Sequence, residues 1–242
     1  WSTKPMQSVS PQYEAEEKIT VNGNVDLYAV VFNRTTETDL TEDQLPQVDI
    51  YKYKQVIFVG DSRTEFMENV LTGMGESATK NVKFVCSAGK GLDWFTTTGW
   101  AQLYSIVQHD SNSILSKKTA VIFNFGVNDL SKSADYAEYY NWIAPQLKSK
   151  GCELYFMSVN PVNRLMLSNA GRADRSEAAV RSFNQYMKAN LSSAYTYIDM
   201  YSYLKSTGYS FASDHYGTGT VDDGLHYTTR TYKRIFAKCM DS

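Results

Sequence analysis

The chain has 242 residues and a mass of 27.4 kDa, enough for one large domain, or one domain with a small appendage, around a substantial core. Its 24 basic and 26 acidic side chains leave a formal charge of -2, and no run of five or more Lys or Arg occurs, which argues against nucleic acid and anionic membranes as partners. Usage is 43% apolar and 21% charged, with 18 Tyr, 11 Phe and 4 Trp, which excludes disorder and coiled coil. No apolar stretch reaches the ~18 residues of a membrane helix and no leader pattern opens the sequence, so a soluble chain without membrane insertion is expected. Three cysteines are too few, and odd in number, for a disulfide framework. No C-x-x-C pair is present to hold a metal, so Cys86, Cys152 and Cys239 read as small buried hydrophobes.

Ile19 to Val31 alternates in polarity, and Asn22-Gly23 is a two-residue hairpin signal. About thirty residues cannot fold alone, and a chain opening on Trp1 reads as the end of a longer β module. Trp1-Ser2-Thr3-Lys4-Pro5, Ile19-Thr20-Val21 and Leu27-Tyr28-Ala29-Val30 resemble the C-terminal half of the Listeria–Bacteroides repeat of bacterial surface proteins, with Val31-Phe32 in place of its usual final Trp. That resemblance implies an extracellular or cell-surface parent. Residues 1–32 are therefore expected to be a partial β repeat, and the acid-rich, aperiodic residues 33–53 a linker.

From Gln55 onward, short apolar runs alternate with segments of helical period. Val56–Val59, Val82–Val85, Ala120–Phe123, Leu154–Met157 and Tyr195–Ile198 suit buried parallel strands. Phe66/Met67/Val70/Leu71, Tyr136/Tyr139/Tyr140/Ile143/Leu147, Val180/Phe183/Met187/Leu191 and Tyr232/Ile235/Phe236/Cys239 recur as one face of a helix. Pro145 predicts a bend in the second of these helices, and Asp174 with Glu177 a capping box for the third. The alternation predicts a doubly wound, three-layer α/β/α sandwich with a five-stranded parallel sheet over residues 54–242, its ligand at the C-terminal ends of the strands.

Four short elements fall at those ends: Gly60-Asp61-Ser62-Arg63, Gly89-Lys90-Gly91, Gly126-Val127-Asn128-Asp129 and, before the last helix, Asp223-Gly224-Leu225-His226. A serine between strand and helix exposes its hydroxyl beside helix N-terminal amides, but is a poor nucleophile without a base. Asp223 and His226 at i, i+3 share a face, so the carboxylate can hold one ring nitrogen while the other takes the Ser62 proton. Backbone N–H groups of Ser62 and Gly91 and the Asn128 amide are suitable donors to an oxyanion; Gly89 is the alternative to Gly91.

These four elements, in order, resemble blocks I, II, III and V of the SGNH (GDSL-like) hydrolase superfamily, matched by Ser62, Gly91, Asn128 and His226, with Asp223 completing the triad. The resemblance implies a flavodoxin-like α/β/α fold and ester hydrolysis or acyl transfer without metal or cofactor. Two departures concern the substrate subgroup: Arg63 stands where the commonest motif has Leu, and Cys86-Ser87-Ala88 replaces an Asn-x-Gly.

Around this set, Arg63 either reaches an anionic or hydroxyl-rich substrate or pairs with a surface acid. Trp94 and Tyr227, with Phe95, offer either a platform for a sugar or short acyl group or ordinary packing. Asn160, Asn163 and Arg164 are candidate rim residues. Asp214-His215 is a competing acid–base pair whose neighbours in extended chain point apart; Asp222 is one residue off the useful spacing, and His109 reads as an exposed helix end. The expected activity is a serine esterase removing acetyl or another short acyl group from a small ester or acylated glycan, as a monomer outside a bacterial cell. The alternatives are an O-acyltransferase using the same triad and a non-catalytic adhesin keeping the fold.

Overall fold

A computed structural model describes residues 40–109, 118–163, 166–167, 175–212 and 223–242. The expected partial repeat at 1–32 lies outside them. Five parallel strands, β1 (Tyr53–Gly60), β2 (Val82–Cys86), β3 (Lys118–Asn124), β4 (Cys152–Met157) and β5 (Tyr195–Ile198), form one sheet in the order β2-β1-β3-β4-β5. The helices are α1 (Ser62–Thr72), α2 (Leu92–Trp94), α3 (Trp100–His109), α4 (Ser133–Ser149), α5 (Glu177–Asn190), α6 (Met200–Thr207) and α7 (Thr229–Met240). Each of the five apolar runs lies within a strand, and each of the four helical patterns coincides with a helix.

Strand alternation sorts the core into two layers. Ile57, Val59, Val121 and Phe123 face one side, where they meet Leu103 of α3, Tyr136 and Tyr140 of α4 and Phe183 of α5. Val56, Phe58, Ala120 and Ile122 face the other, against Met67 of α1, Leu204 of α6 and Phe236 of α7. The chain leaves β1 for β2 on one side and returns to β3 on the other, which opens a crevice above the C-terminal ends of β1 and β3. The residue pairs Gly60–Cys86 and Gly60–Asn124 bring the loops after β1, β2 and β3 to that crevice.

Leu45 and Val48, within the expected linker, are buried against the second core layer; their apolar area outweighs the acidic surroundings. α4 runs through Pro145 to Ser149. The cap of α5 is Ser176, whose hydroxyl accepts from the Ala179 N–H at 3.1 Å. Asp174 lies outside the described residues, and Glu177 instead accepts from the Val162 N–H and the Tyr201 hydroxyl. Between α2 and α3 the backbone passes through a π-helical segment, Phe95–Gly99. There Thr96 and Thr97 donate to the Asp93 carbonyl at 3.0 and 2.7 Å, competing with the regular backbone ladder. Cys152 and Cys239 are buried, whereas Cys86 is half-buried and its thiol donates to Glu68. Among the described residues no helix is long and apolar enough to cross a membrane.

Candidate active site

Gly60 ends β1 where a side chain would not fit: a Cβ there would lie 2.0 Å from Thr64 Oγ1 and 2.8 Å from the Asn124 carbonyl. Asp61 then caps α1, its carboxylate accepting from the Arg63 N–H at 3.0 Å. Burial pushes the Asp61 carboxyl up to about 6, against the lowering effect of the Arg63 N–H and guanidinium. Ser62, the first residue of the helix, is thereby fixed with its hydroxyl above the strand ends.

The last loop supplies the partners. Asp223 Oδ1 accepts from both the Leu225 and His226 N–H groups at 2.8 Å, so the carboxylate folds its own turn. Gly224 allows that turn with φ +68°, and a Cβ there would meet the Asn163 carbonyl at 2.4 Å. Asp223 Oδ2 lies 2.6 Å from His226 Nδ1, and His226 Nε2 lies 2.7 Å from Ser62 Oγ. Burial alone would raise the Asp223 carboxyl; the hydrogen bonds from His226 and from the Leu225 amide overcome it and hold the group at about 2. The geometry is that of a hydroxyl able to pass its proton to a ring whose other nitrogen is oriented by an ionised carboxylate. Ser62, Asp223 and His226 are thus brought together as their spacing predicts.

Asn128 and Asp129 grip the second loop on both sides of Gly91. Asn128 Nδ2 donates to the Lys90 carbonyl at 2.8 Å, and Asp129 Oδ2 accepts from the Leu92 N–H at 2.9 Å. Asp129 Oδ1 also accepts from the Tyr136 hydroxyl. A Cβ on Gly91 would stand 2.3 Å from the Asp129 carboxylate, so glycine is needed there for space, whereas Gly89 is needed for its φ of +69°. The Lys90 carbonyl points at Asn128, and the planar trans peptide therefore turns the Gly91 N–H to the opposite side. One oxygen cannot accept from the Gly91 N–H and from Asn128 Nδ2 in this conformation.

Arg63 corrects an expectation of substrate contact. It is only 2% exposed, and its guanidinium donates to the carbonyls of Leu225, Asn160 and Pro161 at 2.9, 2.8 and 2.8 Å, above the Tyr227 ring. It is a clasp between α1, the loop after β4 and the His226 turn. Tyr227 is likewise buried, its hydroxyl donating to the Pro161 carbonyl, so it backs the site and offers no wall to a substrate. Phe95 is core, edge-on to Phe123, Tyr139 and Tyr140. Trp94 is half-buried against Phe125 and Gly99. Asn160 is buried, and Asn163 braces the His turn by donating its N–H to the Gly224 carbonyl. Arg164, Asp214, His215 and Asp222 lie outside the described residues, and His109 closes α3.

Two contributors were not singled out from sequence. The Phe66 ring, one turn after Ser62, packs on the His226 imidazole; the i, i+4 spacing was a signal for it. Arg175 donates to the Asn128 side chain, and no local pattern in the sequence points to that pairing. Among the described residues no group of three or more His, Cys, Asp or Glu side chains could hold a metal ion.

Similarity to known proteins agrees with this fold. A candidate acylhydrolase from Bacteroides fragilis superposes with a TM-score of 0.52 at 15% identity, covering 83% of this chain and 92% of that one. A candidate SGNH hydrolase from Slackia heliotrinireducens gives 0.51 at 12% identity over 79% of this chain and 100% of its own. An acetyl xylan esterase gives 0.50 at 11% identity over 77% and 98%. No curated protein sequence matches the chain significantly. The family model described as GDSL-like lipase/acylhydrolase matches residues 56–239, well over half of the sequence, including the three strand-end loops and the Asp223–His226 turn, and the chain belongs to that family of acyl-ester hydrolysing enzymes.

Proposed function

We propose that the protein hydrolyses short-acyl esters, in the first place acetyl esters on a carbohydrate or cell-wall glycan, with Ser62 as nucleophile, His226 as base and Asp223 as its orienting carboxylate. The observation that carries this reading is the unbroken hydrogen-bonded line from Ser62 Oγ through both nitrogens of His226 to Asp223. Ser62 Oγ attacks the ester carbonyl as His226 Nε2 takes its proton. The tetrahedral oxyanion collapses with loss of the alcohol, to which His226 returns that proton. Water then adds to the acyl-enzyme with His226 again as base, releasing the acid and restoring Ser62.

The Ser62 N–H, at the start of α1, and the second amide hydrogen of Asn128 are the donors assigned to the oxyanion. The Gly91 N–H joins them once the Lys90–Gly91 peptide turns, a rotation that glycine permits. Side chains of Asn128 and Asp129 in the loop after β3, and of Arg175 just before α5, supply polar groups suited to a hydroxyl-rich alcohol, and one fold neighbour is named as an acetyl xylan esterase. The repeat-like segment at 1–32 supports a substrate met at the cell surface.

The test is acetate release from a panel of acetylated glycans, peptidoglycan and plant polysaccharides included, with Ser62→Ala as control. Release by the wild type and none by the variant is expected; equal release by both would overturn the assignment. Acetyl appearing on an added acceptor glycan would mark transfer in place of hydrolysis.

A further inference from the structure

The Asn128 amide poses a problem of orientation. Its oxygen and nitrogen ends have almost the same shape, and a half-turn of the side chain would present an acceptor where a developing oxyanion needs a donor. Packing does not decide between the two states, because Asn128 is only half-buried and borders a cavity of about 400 Å³ shared with Val127, Leu130 and Arg175. Hydrogen bonding decides instead. The Arg175 guanidinium, which can only donate, reaches Asn128 Oδ1 through Nη2 at 2.9 Å and the Val127 carbonyl through Nε at 2.8 Å. On the other side the Lys90 carbonyl, which can only accept, takes one hydrogen of Asn128 Nδ2. The flipped amide would set nitrogen against guanidinium and oxygen against carbonyl, two repulsive contacts in place of two attractive ones.

We infer that Arg175 is a positioning residue for the reaction: it holds the Asn128 amide with its N–H groups toward the reacting centre. This rests on the reading of Asn128 as an oxyanion donor. Arg175 stands immediately before Ser176, the capped start of α5, so its backbone is anchored by the helix. When the Lys90–Gly91 peptide turns to bring the Gly91 N–H to the oxyanion, the Lys90 carbonyl leaves Asn128. Arg175 is then the partner that keeps the amide oriented through the tetrahedral step. The guanidinium charge, bonded to Oδ1, also draws electron density from the amide and sharpens Nδ2–H as a donor.

The experiment is a double-mutant cycle of Arg175→Met and Asn128→Ala, read as kcat and KM on an aryl acetate, together with the side-chain amide resonances of Asn128 in 15N-labelled protein, identified by their loss in Asn128→Asp. Losing an oxyanion donor lowers kcat by about 100- to 1,000-fold in other enzymes. Misorienting one is expected to cost about 10- to 100-fold in kcat with KM little changed, and nothing further in the Asn128→Ala background. In Arg175→Met the Asn128 amide pair is expected to shift. Equal losses with and without Asn128, or an unmoved pair, would overturn the inference. Should Arg175→Met fail to fold, Arg175→Lys, which keeps the charge but not the fork, is read in the same way. If Ser62→Ala kept its activity, the reading of the nucleophile would fail, and the amide resonances would still show whether Arg175 orients the Asn128 amide.

Discussion

The Phe66 ring lies 4.6 Å from the imidazole of His226, tilted by 46°, so α1 presents both the serine that meets Nε2 and the apolar surface on which the ring rests. Small displacements of a reacting group carry large kinetic penalties, which gives the contact a measurable value. Phe66→Ala is expected to lower kcat on an aryl acetate by about 10-fold or more, with Phe66→Leu losing less. A kcat equal to wild type in Phe66→Ala would show that the ring does not position His226.

Asp223 has two separable tasks. In Asp223→Asn the amide oxygen still accepts from the Leu225 and His226 N–H groups, so the turn and the melting temperature are expected to be nearly preserved. The amide nitrogen, however, faces His226 Nδ1 and favours the tautomer protonated on Nε2, which cannot accept from Ser62. A fall in kcat on the order of 10⁴-fold is expected, as for the corresponding change in a well-studied serine protease, and steady-state kinetics alongside thermal unfolding checks both halves.

Arg63 ties α1 to the loops around it through three hydrogen bonds. Arg63→Met strands three carbonyls that now receive guanidinium hydrogens. Buried acceptors left without donors cost about 1 to 3 kcal/mol each, part of which water recovers. Urea unfolding is expected to show a loss on the order of 3 kcal/mol. A change within experimental error would show that these three hydrogen bonds add nothing net to stability.

Asp61 and Asp223 impose opposite pH dependences on stability. The Asp61 carboxyl is raised to about 6, so the folded state binds that proton more tightly than the unfolded state does. Its charged form therefore costs stability as pH rises from about 4 to about 6. Asp223, lowered to about 2, contributes stability above the ordinary carboxylate range that is lost as pH falls toward 2. Asp61→Asn keeps the cap, because asparagine accepts from the Arg63 N–H equally well. The melting temperature of the variant relative to wild type is expected to climb between pH 4 and pH 6 and then level off; a constant difference would show that Asp61 is not buried as a proton acceptor.

The sheet and the Asp223–His226 pairing were legible because each rests on short-range signals. Runs such as Val56–Val59 declare a buried strand by composition, and Asp223 to His226 is a single turn. What escaped is long-range. Arg63 looked free to meet a substrate because the carbonyls it satisfies belong to residues about 100 and 160 positions away in the chain. Tyr227 adjoins His226 in sequence, yet sits behind it because the backbone bridges to Phe211. The helix that ends at His109 has its start masked by three threonines and a glycine, residues that disfavour helix and are accommodated here by a π turn.

Ser62 and Arg63 are consecutive, and this adjacency has a mechanical consequence. The hydroxyl meets His226, while the neighbouring guanidinium holds the Leu225 carbonyl one residue before that histidine. The His226 turn is therefore tied to α1 at two neighbouring points, through the ring at 2.7 Å and through the backbone just before it. A substitution that frees Arg63 is therefore expected to loosen the Ser62–His226 contact together with the packing of the last loop.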